Sequence, residues 1–145
     1  MTSAFVGHLF AAVVMAQGLD LIKNEPNLEK RAGRATDHAT KLVGQARHAY
    51  QQGQLKDAVA ALNELAEAVE LAEKWLKETG KNASRSPKHF KRAELASRGI
   101  VKRLDSFIHD MAIDDSEAAE KARARVRKVQ EDLLAAIMGG GRKRK

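Results

Sequence analysis

The sequence predicts an all-α protein: an antiparallel up-down-up-down four-helix bundle preceded by an apolar N-terminal segment. Three observations carry this reading. The composition is 43% hydrophobic and 31% charged, with 2 Pro in 145 residues, which suits helices with one buried stripe and little punctuation. After residue 22 four segments of similar length each repeat apolar or small residues at alternating spacings of three and four. Short or moderate links separate them, the first two containing Gly or Pro and the third spanning roughly residues 112–115, and short links make successive helices antiparallel.

The first of the four helices comes after the break at Lys23-Asn24-Glu25-Pro26-Asn27, where a proline is tolerated in a first turn because its missing N–H has no partner there anyway. Its seam is Leu28, Ala32, Ala35, Ala39, Leu42, Ala46 and Ala49. Gly53 is placed to end it in a left-handed cap. A seam this rich in alanine should let the helix sit close to its neighbours.

The second helix runs from about Leu55 to Thr79, with Leu55, Ala58, Leu62, Leu65, Val69, Ala72 and Leu76 on its seam and Gly80 at its end. The longest loop of the body comes next. Ser86-Pro87 is expected to open the third helix, as an N-cap succeeded by proline in the first helical position. Phe90, Ala93, Ser97, Ile100, Leu104, Phe107 and Met111 form its seam. Asp114, with Glu117 three residues later, is expected to cap the fourth helix in a capping-box manner. That helix carries Ala119, Ala122, Val126, Val129, Leu133 and Ala136, and Gly139-Gly140-Gly141 ends it. All four seams share the period of knobs-into-holes packing. Flanking residues such as Val43, Tyr50, Val59 and Ala66 widen the stripes to the width a bundle needs. The bundle is expected over residues 24–138.

Residues 4–16, Ala-Phe-Val-Gly-His-Leu-Phe-Ala-Ala-Val-Val-Met-Ala, form an apolar run too short to span a bilayer. Its length suits the apolar region of a signal peptide, and Val14-Met15-Ala16 supplies small-residue spacing for cleavage before Gln17. Residues 1–16 are therefore read as a signal peptide, with an extra N-terminal helix as the alternative. No Lys or Arg precedes Lys23, and His8 interrupts the run. The expected location is accordingly export, periplasmic or secreted, with the cytoplasm as the alternative.

The net charge is +7 and the isoelectric point about 9.8. Arg142, Lys143, Arg144 and Lys145 supply four of those charges, in a tail, residues 139–145, that its glycines and like charges predict to be disordered. Residues 80–111 hold 8 Lys and Arg against 3 acids, whereas residues 55–79 hold 6 acids against 3 bases. The third helix thus offers a candidate anion-binding face made of Lys88, Lys91, Arg92, Arg98, Lys102 and Arg103. The bland alternative is a solvated face paired with Glu64, Glu67, Glu70 and Glu73 of the preceding acidic helix. No aromatic residues alternate with the bases, so there is no stacking platform for single-stranded nucleic acid.

Absent cysteine excludes disulfides, thiolate metal sites and thiol catalysis. The five histidines, His8, His38, His48, His89 and His109, include no Glu-x-x-His and no pair at i, i+4, the spacings that helical metal sites use. Phosphate-loop and nucleophile-elbow motifs are also missing. The expectation is a non-enzymatic protein without catalytic, cofactor or metal residues. It would act as a structural or protein-interaction module with an unknown protein partner and no stable membrane span. The alternative is a cytoplasmic nucleic-acid-associated protein that uses the basic helix 88–103 and the tail.

Two resemblances complete the reading. Residues 42–65, with Tyr50, Gly53 at the turn, Ala58 five residues on and Leu62 four further, resemble one tetratricopeptide-repeat hairpin. The resemblance implies helix–turn–helix packing only, because no second copy occurs at the repeat's period. The apolar N-terminus, Lys77–Asn82, Lys91–Glu94 and Ile137–Gly139 together make the chain similar to small exported bacterial all-helical proteins, a likeness that carries no activity to transfer.

Overall fold

The computed structural model describes residues 18–139. The expectations for residues 1–16 and for Arg142, Lys143, Arg144 and Lys145 lie outside the described residues. A short helix over residues 18–23 (α1) leads into α2 (Leu28–Gln51), α3 (Leu55–Glu78), α4 (Lys88–Asp110), a 3-10 turn (Ile113–Asp115) and α5 (Glu117–Ile137). Among these residues there is no strand, and no helix is long and apolar enough to cross a membrane. The protein is an all-α four-helix bundle.

The seams are buried as their period requires. From α2, Ala32, Ala35, Ala39, Leu42, Ala46 and Ala49 face the core, and from α3 the whole expected seam does so except Leu55, which is exposed. All seven α4 positions are buried. On α5 the seam holds through Leu133, while Ala136 is exposed near the helix end. Trp75 joins the core beside the α3 seam, with the Arg31 guanidinium 5.1 Å from its ring centroid.

The helix ends differ in detail from the sequence expectation. Gly53 and Gly80 adopt φ of +75° and +70°, the left-handed conformation a Cβ would strain. Asn27, not Pro26, starts α2: its Oδ1 accepts the Lys30 N–H at 2.9 Å. Ser86 does not cap α4. Pro87 stands at the N-cap position with helical backbone angles, and no side chain caps that end. Asp114 does not cap α5 either. It lies in the 3-10 turn, and Ser116 takes the N-cap position with its hydroxyl turned back to donate to the Ile113 carbonyl at 3.0 Å. The turn inserts between the two helices, so both aspartates precede the cap instead of forming it.

Helix directions alternate along the chain, but consecutive helices are not all neighbours. The α2–α3 and α4–α5 hairpins are tight, and the remaining close pairs are α2 with α4 and α3 with α5, which leaves α3 diagonal to α4. The registers show that the two hairpins lie side by side in the same direction. Along α2, Asp37, Thr40 and Arg47 meet Arg92, Arg103 and Asp110 in turn. Ascending numbers on both helices mean parallel neighbours. Conversely, α4 and α5 run antiparallel, since Asp105 pairs with Arg123 at 2.8 Å while Glu94 meets Gln130.

An aromatic contact and a polar strut close the far end. Tyr50 and Phe107 stack edge to face with centroids 5.8 Å apart. The Tyr50 hydroxyl donates to Asp115 Oδ2 and accepts the Ala112 N–H, each at 3.0 Å, tying the end of α2 to the α4–α5 turn.

Leu62, Leu65, Leu104 and Leu133 are all essentially inaccessible to solvent within one core. Each Leu→Ala change should cost about 2–5 kcal/mol through lost transfer energy and a residual cavity. Urea unfolding checks this, and losses below about 1 kcal/mol at all four would mean these faces are not the core.

Candidate interaction surface on α4

The basic residues expected to share a face all come from the solvent side of α4, but they divide into three groups. Lys88, Lys91, Leu95, Arg98 and Lys102 recur at spacings of three and four, so they lie in one stripe opposite the Phe90–Met111 seam. Arg92 and Arg103 sit on the edge next to α2, and Arg98 also reaches the edge next to α5 through Glu94.

The α2 edge is built by a matched pair of positions. Arg92 donates to Asp37 Oδ2 at 3.1 Å, and Arg103 donates to the Thr40 carbonyl at 2.8 Å. Beneath them lie Gly33 and Gly44, where an added Cβ would come within 3.2 Å and 3.6 Å of the two guanidiniums. The small residues leave room for the arginines to lie across α2. These contacts are exposed, so each is worth only about 0–1 kcal/mol.

The α5 edge is different, because it is buried. Glu94 has a side chain only 5% exposed. Its Oε1 accepts from Arg98 Nε at 3.1 Å and from Gln130 Nε2 at 2.8 Å. A buried carboxylate needs such partners to offset its lost hydration. Arg98 is thereby partly committed, and Glu94 holds α5 against α4.

Between the two edges the stripe is open. Leu95 is 60% exposed, and at Gly99 an added Cβ would meet nothing within 4 Å. Among the described residues Lys91 and Lys102 have no ion pair, and the stripe between them carries no acid. Lys88 stands near Glu29. The Lys81 hydrogen bond, working against burial, holds the Glu29 carboxyl below its usual range, and the charges of His89, Lys81 and Lys88 add to that effect. The stripe is therefore a leucine flanked by Lys91, Arg98 and Lys102, on a convex helix surface about 20 Å long at 1.5 Å per residue.

The expected pairing of this face with the acidic helix does not occur. Glu64 faces His38, Glu67 is 3.9 Å from Lys23, Glu70 binds Arg125 and Glu73 binds Lys77. The reason is topological: α3 is diagonal to α4, so its acids meet α1, α2, α5 and their own helix instead. The sequence reading also missed Leu95, Glu94 and the facing of His38 on Glu64. Leu95 was findable, since it is the one large apolar residue on the basic side of a strongly amphipathic helix. The two polar burials depend on the register across each hairpin, which spacing on one helix does not encode.

Compared with protein-family models, curated proteins and solved structures, the chain matches none of them.

Proposed function

We propose that the protein is a non-enzymatic, exported helical interaction module whose working surface is the outward stripe of α4. The observation that carries this reading is Leu95, exposed and flanked by Lys91, Arg98 and Lys102. An apolar anchor with a charged rim is the usual anatomy of a protein–protein contact. An acidic amphipathic helix fits it, laying its own apolar residues over Leu95 and the open backbone at Gly99 while its carboxylates meet the lysines. A phosphate backbone would use the charges but gain little from the leucine.

The export part of the reading is supported by the apolar run 4–16 and by the packing of Leu19. That residue lies three positions past the expected cleavage point and is buried against the bundle, so a chain starting at Gln17 would keep the segment that packs there. Intact-mass analysis of the protein from its native cells should give an N-terminus at Gln17; a soluble cytoplasmic form beginning at Met1 would contradict export.

The surface is tested with two probes at physiological salt. A synthetic glutamate-rich helical peptide with a leucine stripe should shift the backbone resonances of residues 88–102. Affinity should fall at least about tenfold, or 1.4 kcal/mol, in K91E/K102E and again in Leu95→Ser. Peptide-induced shifts on other helices, or unchanged binding by Leu95→Ser, would overturn the proposal. So would tighter binding of a DNA duplex with a steep salt dependence, which would favour the nucleic-acid reading.

A further inference from the structure

The least explained feature of the bundle is a buried polar pair outside that surface. His38 on α2 and Glu64 on α3 face each other with Nε2 and Oε2 3.6 Å apart. Both atoms are buried, and neither has a hydrogen-bond partner. Burying polar atoms without partners is costly, and apolar residues would fill this position between two alanine-rich helices at no such cost.

The helix over residues 18–23 lies directly on the pair. A Cβ at Gly18 would come 2.9 Å from His38 Cε1, so the backbone of this segment rests against the imidazole edge. Leu19 is buried and Ile22 packs against the same core. Lys23 lies 3.9 Å from both Asp20 and Glu67. The segment covers the pair, and it is held by two apolar side chains and weak ion pairs. A contact of that size is poised to open and close.

We propose that residues 18–23 are a proton-controlled clasp, closed on the bundle while the His38–Glu64 pair holds a proton and released when the proton is lost to solvent.

The charges around the pair set the direction. With one proton, the pair carries the same net charge whether it is a carboxylic acid beside a neutral imidazole or a carboxylate beside an imidazolium. Removing that proton leaves a carboxylate buried under the segment. Burial pushes the Glu64 carboxyl up to about 7, Glu67 and Asp20 push it further, and Lys23 opposes them. Burial, then Lys41, push the His38 imidazole down. The share of the Glu64 burial which the segment supplies raises the carboxyl pKa on docking, so it favours the docked state at low pH, and that contribution is lost as pH rises through about 7. The lowered imidazole acts in the opposite sense, opposing docking as pH falls below its ordinary value. Docking is therefore strongest on the mildly acidic side of neutrality and weakens above it.

Hydrogen exchange of the full chain tests the clasp, with rates corrected for the intrinsic effect of pH. Between pH 6 and pH 8.5, protection of the amides of residues 18–23 should fall about threefold, the roughly tenfold contribution of the Glu64 carboxyl at pH 6 being partly offset by His38. The core amides of α3 report global opening and should not change with them. In Glu64→Gln, which keeps the shape and removes the carboxyl titration, the fall in protection of residues 18–23 should vanish, leaving only the opposite, weaker rise as His38 loses its proton. The carboxyl carbon shift of Glu64 in the wild-type chain should titrate near neutrality. Flat protection in the wild type, a loss of protection with rising pH that persists in Glu64→Gln, or a Glu64 carboxyl that titrates below pH 5 would each overturn the proposal.

Discussion

Laying α2 parallel to α4 sets two helix N-termini side by side at one end of the bundle, and each carries partial positive charge from its unpaired N–H groups. That end needs a carboxylate, and Glu29 supplies it. It sits in the first turn of α2, binds Lys81 of the connecting loop, and lies with Oε2 2.6 Å from Nε2 of His89 in the first turn of α4. At the other end α3 and α5 start together, and their first turns carry Asp57, Glu117 and Glu120. The alternative, four sequentially antiparallel neighbours, would have cancelled these dipoles without side-chain help. Small residues on α2 and α3 offset the difference by letting that hairpin close tightly, while Phe90, Ile100, Leu104 and Phe107 of α4 supply the bulk that fills the space at the density of a native core.

The diagonal placement of α3 and α4 has consequences for charge. Acidic α3 and basic α4 stand at opposite corners, so neither neutralises the other. Carboxylates of α3 turn to α1, α2 and α5, and one of them, Glu64, ends up buried against a histidine. The outer stripe of α4 keeps Lys91 and Lys102 out of ion pairs among the described residues. The anion-seeking face derives from this topological choice, whereas the proton-sensitive contact arises inside the α2–α3 hairpin.

Much of this fold was legible in the sequence because a seam is a local property. The three-four spacing of Leu62, Leu65, Val69, Ala72 and Leu76 fixes the buried face of α3 without knowledge of its neighbours. The glycine caps at Gly53 and Gly80 were equally local. The expectation failed at the capping of α5, where a 3-10 turn displaced Asp114 from the cap position, and in the pairing of the basic face with the acidic helix. The first depends on the turn inside the α4–α5 hairpin and the second on how the chain crosses between hairpins. Glu94 and Glu64 were missed for another reason: on a helix surface glutamate reads as solvated, and only the register within each hairpin, which brings Gln130 or His38 opposite, makes it a buried group.

Parallel pairing of α2 with α4 is the claim on which the rest stands, and the chain offers a clean reporter for it. It contains 1 Tyr, and that residue, Tyr50, closes the C-terminal end of α2. The arrangement predicts a strong nuclear Overhauser contact between the rings of Tyr50 and Phe107, whose centroids are 5.8 Å apart. A contact from Tyr50 to Phe90 instead, at the opposite end of α4, would mean that the two helices run antiparallel and would contradict the account.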